Sequence, residues 1–250
     1  MVSFQDHFAT VATRYAQSRP GYPPELFAWL AGQCPARELA WDCGAGTGQA
    51  SVALAEHFSR VVATDGSAAQ IAQATPHARI DYRQAPAEQS GLPAGSVDLV
   101  VVAQALHWFD LERFYSEVRR VLKPEGVVAV WCYGVLRVAG VDVDDLVQHF
   151  YQHVVGPHWP PERRHVENGY RELAFPFQVI PPPDFAMAVE WPLEQLLGYF
   201  ASWSATAHYQ KCHDADPVAL LAPRLRDAWG ENHRLRRVEW PLSLRVGRHS

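Results

Sequence analysis

The chain has 250 residues, 48% of them hydrophobic and 20% charged, with a net charge of −5. That length builds one sizeable core, and 22 basic against 27 acidic residues give no positive field for nucleic acid or an anionic membrane surface. The four cysteines lack paired spacing and read as reduced thiols of a cytoplasmic protein; no basic-then-apolar leader and no apolar run of ~18 residues is present.

Residues 4–17 place Phe4, Phe8, Val11, Ala12 and Tyr15 near helical spacing, and Pro23-Pro24 opens a second helix over 24–32. Tyr15 and Arg19, beside the break, are candidates to reach a ligand carboxylate, which a guanidinium binds through two parallel hydrogen bonds. A packed tyrosine and a solvated arginine are the alternative. Leu39-Ala-Trp41 reads as a buried strand that stops at Asp42. Gly44, Ala45, Gly46, Thr47 and Gly48 follow, and a helical pattern runs from Gln49 to about residue 58. In such a strand, loop and helix, backbone N–H groups close on a ligand, because glycine permits φ > 0 and carries no Cβ. A Gly-x-Gly-x-x-Gly dinucleotide fingerprint needs glycine where this chain has Gln49, and Asp42 is a poor neighbour for a pyrophosphate. A carboxylate beside the loop suits an ammonium or sulfonium. That points to S-adenosylmethionine (SAM) rather than NAD.

Arg60–Thr64 reads as a second buried strand ending at Asp65, ~20 positions beyond the first glycine, where an acidic residue accepts hydrogen bonds from ribose hydroxyls. Asp65-Gly66-Ser67 is alternatively a turn or helix cap. Residues 79–84 give a weaker third strand. Ala87 and Glu88 lie in the loop beyond it, with Glu88 either on an adenine edge or in water. Val97–Ala103 has the apolar density of a central parallel strand and ends at Gln104-Ala-Leu-His107-Trp108. Ligands of open α/β sheets bind outside the carboxyl ends of strands, so His107 and Trp108 share a crevice with Gly44 and Asp65. An amphipathic helix over 110–122 and a strand over 127–133 follow.

Strand–helix alternation stops there. Residues 134–214 hold a helix-like piece (142–155), a Pro- and Trp-rich stretch (156–192) and a second helix-like piece (193–203), read together as an insertion capping the crevice. Its aromatics either fill a core or line a pocket. Residues 216–229 are helical, and His233–Trp240 with Leu242–Val246, flanking Pro241, read as an antiparallel strand pair. The organisation expected is one domain over 1–250: lid helices and cofactor core (1–133), cap (134–214), last helix and strand pair (215–250). Arg163 and Arg164 either bind an acidic substrate or start a solvated helix. His149 and His153, with His158 and His165 nearby, have metal-like spacing but no Glu-x-x frame or Cys partner, so no metal is expected.

Asp42-Cys-Gly-Ala-Gly-Thr-Gly48, Asp65, Ala87-Glu88, Gly95-Ser-Val-Asp-Leu-Val and Leu122-Lys-Pro-Glu-Gly126 resemble the class I SAM-dependent methyltransferases. Tyr15-Ala-x-x-Arg19-Pro-Gly-Tyr22-Pro23 and Gln104-Ala-Leu-His107-Trp108-Phe109 are similar to the small-molecule, "type 11" branch that includes trans-aconitate methyltransferases. The resemblance implies a doubly wound, Rossmann-like α/β fold with a seven-stranded, mostly parallel sheet and an antiparallel terminal hairpin. It implies SAM as cofactor and S-adenosylhomocysteine as product. Asp42, Gly44, Ala45, Gly46 and Gly48 then approach the methionine moiety, with Tyr15 and Arg19 closing over its carboxylate. Asp65 and Gly66 take the ribose, Ala87 and Glu88 flank adenine, and Gln104 and His107 stand near the sulfonium and the acceptor.

Methyl transfer from a sulfonium is an in-line displacement in which alignment supplies most of the rate. His107, with an unperturbed pKa of ~6.5, is a base for an acceptor that must lose a proton, or else a hydrogen-bonded wall beside Trp108. The implied function is methyl transfer to a small molecule, at a carboxylate or hydroxyl oxygen, by a monomer or homodimer with no nucleic-acid or membrane partner. Two alternatives stay open: a SAM-binding regulatory protein without transferase activity, and an NAD(P)-dependent oxidoreductase.

Overall fold

In a computed structural model of the chain, residues 20–231 and 233–249 are described. Tyr15, Arg19 and the helix expected over 4–17 lie outside them. The backbone divides into two units. One holds Tyr22–Gly134, Arg164–Ala186 and Pro241–Ser250; the other is built from Val135–Arg163 and Met187–Trp240.

The first unit is organised on five parallel strands: β1 (Leu39–Cys43), β2 (Arg60–Asp65), β3 (Ile80–Gln84), β4 (Val97–Ala103) and β5 (Leu122–Tyr133). Their order is β3-β2-β1-β4-β5, with Asp42 opposite Ala63 on one side and Val101 on the other. Successive side chains of a strand point to opposite faces, so each face needs its own cover. Trp41, Val62, Val100, Val128 and Val130 pack with Phe114, Tyr115, Val118 and Val121 of one helix (Leu111–Val121). Ala40, Val61, Leu99, Val101 and Val127 pack with Leu26, Phe27 and Leu30 (helix Pro24–Gln33) and with Leu54 and Ala55 (helix Gln49–Ala55). Burial on both faces is why these strands read as continuous apolar runs. At the strand starts, fully buried Asp98 accepts from the N–H groups of Glu38 and Leu39 (2.9 and 3.0 Å) and pairs with Lys123 at 2.9 Å.

The sheet closes with different residues from those expected. Arg236–Arg248 is one continuous strand passing through Pro241. Its second half runs antiparallel to β5, from Leu242 opposite Tyr133 to Arg248 opposite Val127. On its other edge it pairs antiparallel with Gln178–Ile180. The whole sheet has nine strands among the described residues, seven of them wholly or largely in the first unit, and the closing antiparallel pair there is 242–248 with 178–180, not 233–240 with 242–246. Pro241 falls one residue before the β5 ladder begins and is exposed, so it removes no donor from that ladder.

The second unit contains helices Val141–His149, Leu193–Ala201, Ser204–His213 and Pro217–Trp229, with Arg137–Val138 and Ala186–Trp191 pairing the long final strand. The expected helix over 142–155 changes at Phe150 into a π-helical turn, Phe150–Val154. The tryptophan-rich sequence here is largely core: Trp191, Trp203, Trp229 and Trp240 are buried, and Trp203 contacts Phe150, Tyr199 and Phe200. Among the described residues no helix is long and apolar enough to cross a membrane.

Candidate active site

The carboxyl ends of β1, β2 and β4 meet at the glycine loop. Gly44, Gly46 and Gly48 have φ of 73°, 57° and 87°, the left-handed region that a side chain resists. Two of them also permit close approach. A Cβ on Gly44 would lie 2.6 Å from Ala105 Cβ, and one on Gly48 would collide with the Tyr82 hydroxyl. The loop's N–H groups do not wait for a ligand, as the motif alone suggested. Gly44 and Ala45 donate to Thr64 O (2.8 and 3.0 Å), Gly48 donates to Ala45 O (2.9 Å), and Gly46 donates to Asp65 Oδ2 (2.9 Å). A pyrophosphate needs those donors; a cationic thioether does not.

Asp42, at the end of β1, is fully buried. Its Oδ2 accepts from Ser51 Oγ at 2.5 Å, and its Oδ1 has no partner among the described residues. Burial pushes its pKa up to about 6, against the lowering effect of the Ser51 hydrogen bonds. A buried carboxylate oxygen without a donor is costly unless something cationic or hydrogen-bearing meets it. This unmet acceptor fits the ammonium-bearing end of SAM. The neighbouring Cys43 thiol is pushed well up by burial, which leaves it inert as a nucleophile.

Asp65 has the strand-end position expected of a ribose acceptor, and also the turn role that was its alternative. Its Oδ1 accepts from Ser67 N–H at 2.8 Å while Oδ2 holds Gly46. Each carboxylate oxygen has a second lone pair, so the two roles are compatible. Gly66 is exposed and its Cβ direction is open space. Ala87 packs into the core, and Glu88 Oε1 accepts from Asp110 N–H at 3.0 Å, tying the loop after β3 to the start of the helix Leu111–Val121. Gln104 takes φ of 60°, turning the chain at the end of β4. Its N–H donates to Trp131 O (2.9 Å) and its side-chain Nε2 to Tyr133 O (3.0 Å).

His107 sits in a short 3₁₀ turn, Leu106–Trp108. Its Nδ1 lies 2.9 Å from Tyr170 Oη, and its ring is 4.7 Å from that of Trp108, which is 62% exposed. Arg163 belongs to the second unit, where its guanidinium covers Trp159 at 4.7 Å and Nε donates to Tyr151 Oη at 3.0 Å. Arg164 is exposed at the start of Arg163–Glu167. The rings of His149 and His153 are 5.1 Å apart, but no group of three ligands able to hold a metal occurs among the described residues.

Sequence reasoning missed Ser51, Tyr82 and Tyr170. Ser51 was recoverable, since the first turn after a strand–glycine-loop unit faces back toward the strand end. Tyr82 follows from strand alternation only once β3 is known to flank β2. Tyr170, 63 residues beyond its partner, carries no local signal.

A methyltransferase-domain family matches residues 41–130. A Dictyostelium discoideum protein bearing a methyltransferase name is 33% identical over 229 residues, covering 90% of this chain and 87% of its own. An uncharacterized methyltransferase of Mycobacterium tuberculosis is 39% identical over 130 residues, which is 50% of this chain and 51% of that one. Among solved structures, a protein described as a type II methyltransferase from Anaeromyxobacter dehalogenans shares 49% identity and a TM-score of 0.89, over 92% of this chain and 98% of its own. One from Anabaena variabilis, at 20% identity and TM-score 0.54 over 90% and 99%, shares the fold alone.

Proposed function

Since this chain belongs to the class I SAM-dependent methyltransferases, we propose that it moves the methyl group to an oxygen, carboxylate or hydroxyl, of a small molecule. The observation that carries the placement is Asp42: a buried carboxylate beside the glycine loop with one oxygen unpartnered among the described residues. SAM supplies an electrophilic methyl on a positively charged sulfur. Asp42 Oδ1 accepts from the ammonium of its methionine moiety. Gly44, Ala45, Gly46 and Gly48 clear the path for that moiety by lacking bulk. Asp65 and Gly66 take the ribose through the lone pairs that Gly46 and Ser67 leave over, and Ala87 and Glu88 border the adenine. Gln104 and His107, at the exit of β4, stand on the acceptor side with Trp108. Tyr15 and Arg19 are assigned to the cofactor carboxylate by the sequence pattern alone.

The similarity of the 15–23 and 104–109 segments to trans-aconitate methyltransferases favours a carboxylic acid as acceptor, handled by a monomer or homodimer in the cytoplasm. A carboxylate is nucleophilic at pH 7 and needs alignment more than a base. Incubation with methyl-labelled SAM and a panel of small carboxylic acids, phenols and amines tests this. A labelled ester or ether is expected; label found only on nitrogen or carbon, or on none of the panel, would overturn it.

A further inference from the structure

Tyr170 is fully buried although it carries a hydroxyl, and a buried hydroxyl needs an acceptor. Its φ of 61° lies in the left-handed region, which a bulky residue occupies only where its surroundings force it. Those surroundings come from three directions. The helix Arg163–Glu167 ends in a Schellman turn, with Gly169 N–H donating to Val166 O (3.0 Å) and Tyr170 N–H to His165 O (2.8 Å). From the final strand, Arg245 Nη1 donates to Tyr170 O (2.7 Å) and to Leu173 O (2.6 Å), with its guanidinium 4.8 Å over Phe175. Ser243 closes the third side, where a Cβ on Gly169 would come within 2.6 Å of its Oγ. All of this strain and clamping delivers one phenolic oxygen to 2.9 Å from His107 Nδ1.

We propose that Tyr170 is the positioning residue of His107: its hydroxyl donates to Nδ1, so that the neutral imidazole carries its hydrogen on Nε2 and offers an N–H donor, not a basic lone pair, to the acceptor. The proposal rests on the reading above that His107 stands on the acceptor side. A tautomer is fixed by what the other ring nitrogen bonds. With Nε2 protonated, His107 orients an anionic oxygen of the acceptor. An oxygen lone pair of that acceptor then forms the bond to the methyl carbon as the carbon–sulfur pair returns to sulfur. The negative acceptor and positive sulfonium both become neutral, and no proton moves. Under this proposal His107 is a donor and not a general base.

The test is long-range ¹H–¹⁵N spectroscopy of the full chain with labelled histidine, first alone and then with S-adenosylhomocysteine, with His107 identified by loss of its signals in His107→Gln. In the wild type, Nε2 should be protonated and Nδ1 an acceptor. In Tyr170→Phe the two tautomers should average, giving both His107 ring nitrogens intermediate chemical shifts. A wild-type Nδ1–H, or a His107 unaffected by Tyr170→Phe, would overturn the proposal; should that variant not fold, the wild-type tautomer decides alone. Absence of any shift on adding S-adenosylhomocysteine would refute the placement of the site while leaving the tautomer result standing, so the two failures are distinguishable.

Discussion

Asp42 is a buried carboxylate with one oxygen on Ser51 and the other unpartnered among the described residues. Its pKa is raised from 3.8 to about 6, mainly by burial. The folded chain therefore keeps a proton that the unfolded chain releases, so this group's stabilisation is full below pH 3.8 and is lost as pH rises through 6. The difference amounts to something on the order of 3 kcal/mol. Without cofactor, Asp42→Asn should melt above the wild type at pH 8, with the gap closing toward pH 4; scanning calorimetry at the two pH values reads this directly. Under the proposed placement, the ammonium of the cofactor would offset that cost. Asp42 and the glycines were legible because strand, loop and helix are contiguous in sequence. Asp65 was half legible: its place at a strand end showed, but its bonds to Gly46 and Ser67 did not, because they depend on how two loops meet. Nothing in the sequence around Arg163 signals that Trp159 and Tyr151 flank its guanidinium.

At the scale of elements, the final strand decides how the sheet ends. Gly247 lies between Val128 and Val179, and a Cβ there would meet Phe177 Cβ at 2.6 Å and the Phe175 ring at 2.9 Å. Its φ is ordinary, so the constraint is purely one of space. Gly247→Ala should therefore lower stability by about 1–3 kcal/mol, as overpacking does, visible as a lower urea midpoint with an unchanged slope. The Gln178–Ile180 strand was invisible in the sequence: three residues beside Pro181-Pro-Pro183 carry no period to count. Pro241 looked like a break because proline removes a donor, which matters only where a ladder needs one. By contrast, β1, β2, β4 and β5 were plain, because burial on both faces makes a parallel strand apolar throughout.

Over the whole molecule, the alternation from residue 39 to 133 was enough to fix the fold class, since each strand–helix unit is local and repeated. The unit built from 135–163 and 187–240 has no such regularity, and its aromatics read equally as core or pocket until their packing was seen. The acid stability of the chain has a separate anchor in Glu117, which accepts from Ser90 N–H and Oγ and pairs with Arg120 at 2.7 Å. Arg120 above all holds the Glu117 carboxyl down at about 2, from 4.5. Its stabilisation is present above pH 4.5 and is lost as pH falls through 2, opposite in sign to Asp42. Glu117→Gln should lower the melting temperature at pH 7 but leave it unchanged near pH 2. The placement of the cofactor at the glycine loop is tested most directly by calorimetric titration of S-adenosylhomocysteine into the full chain and into Asp42→Asn at pH 7.5. One site should bind in the wild type and at least about tenfold more weakly in Asp42→Asn, as loss of a buried charged hydrogen bond requires. No heat in the wild type, or equal affinity in the variant, would contradict it.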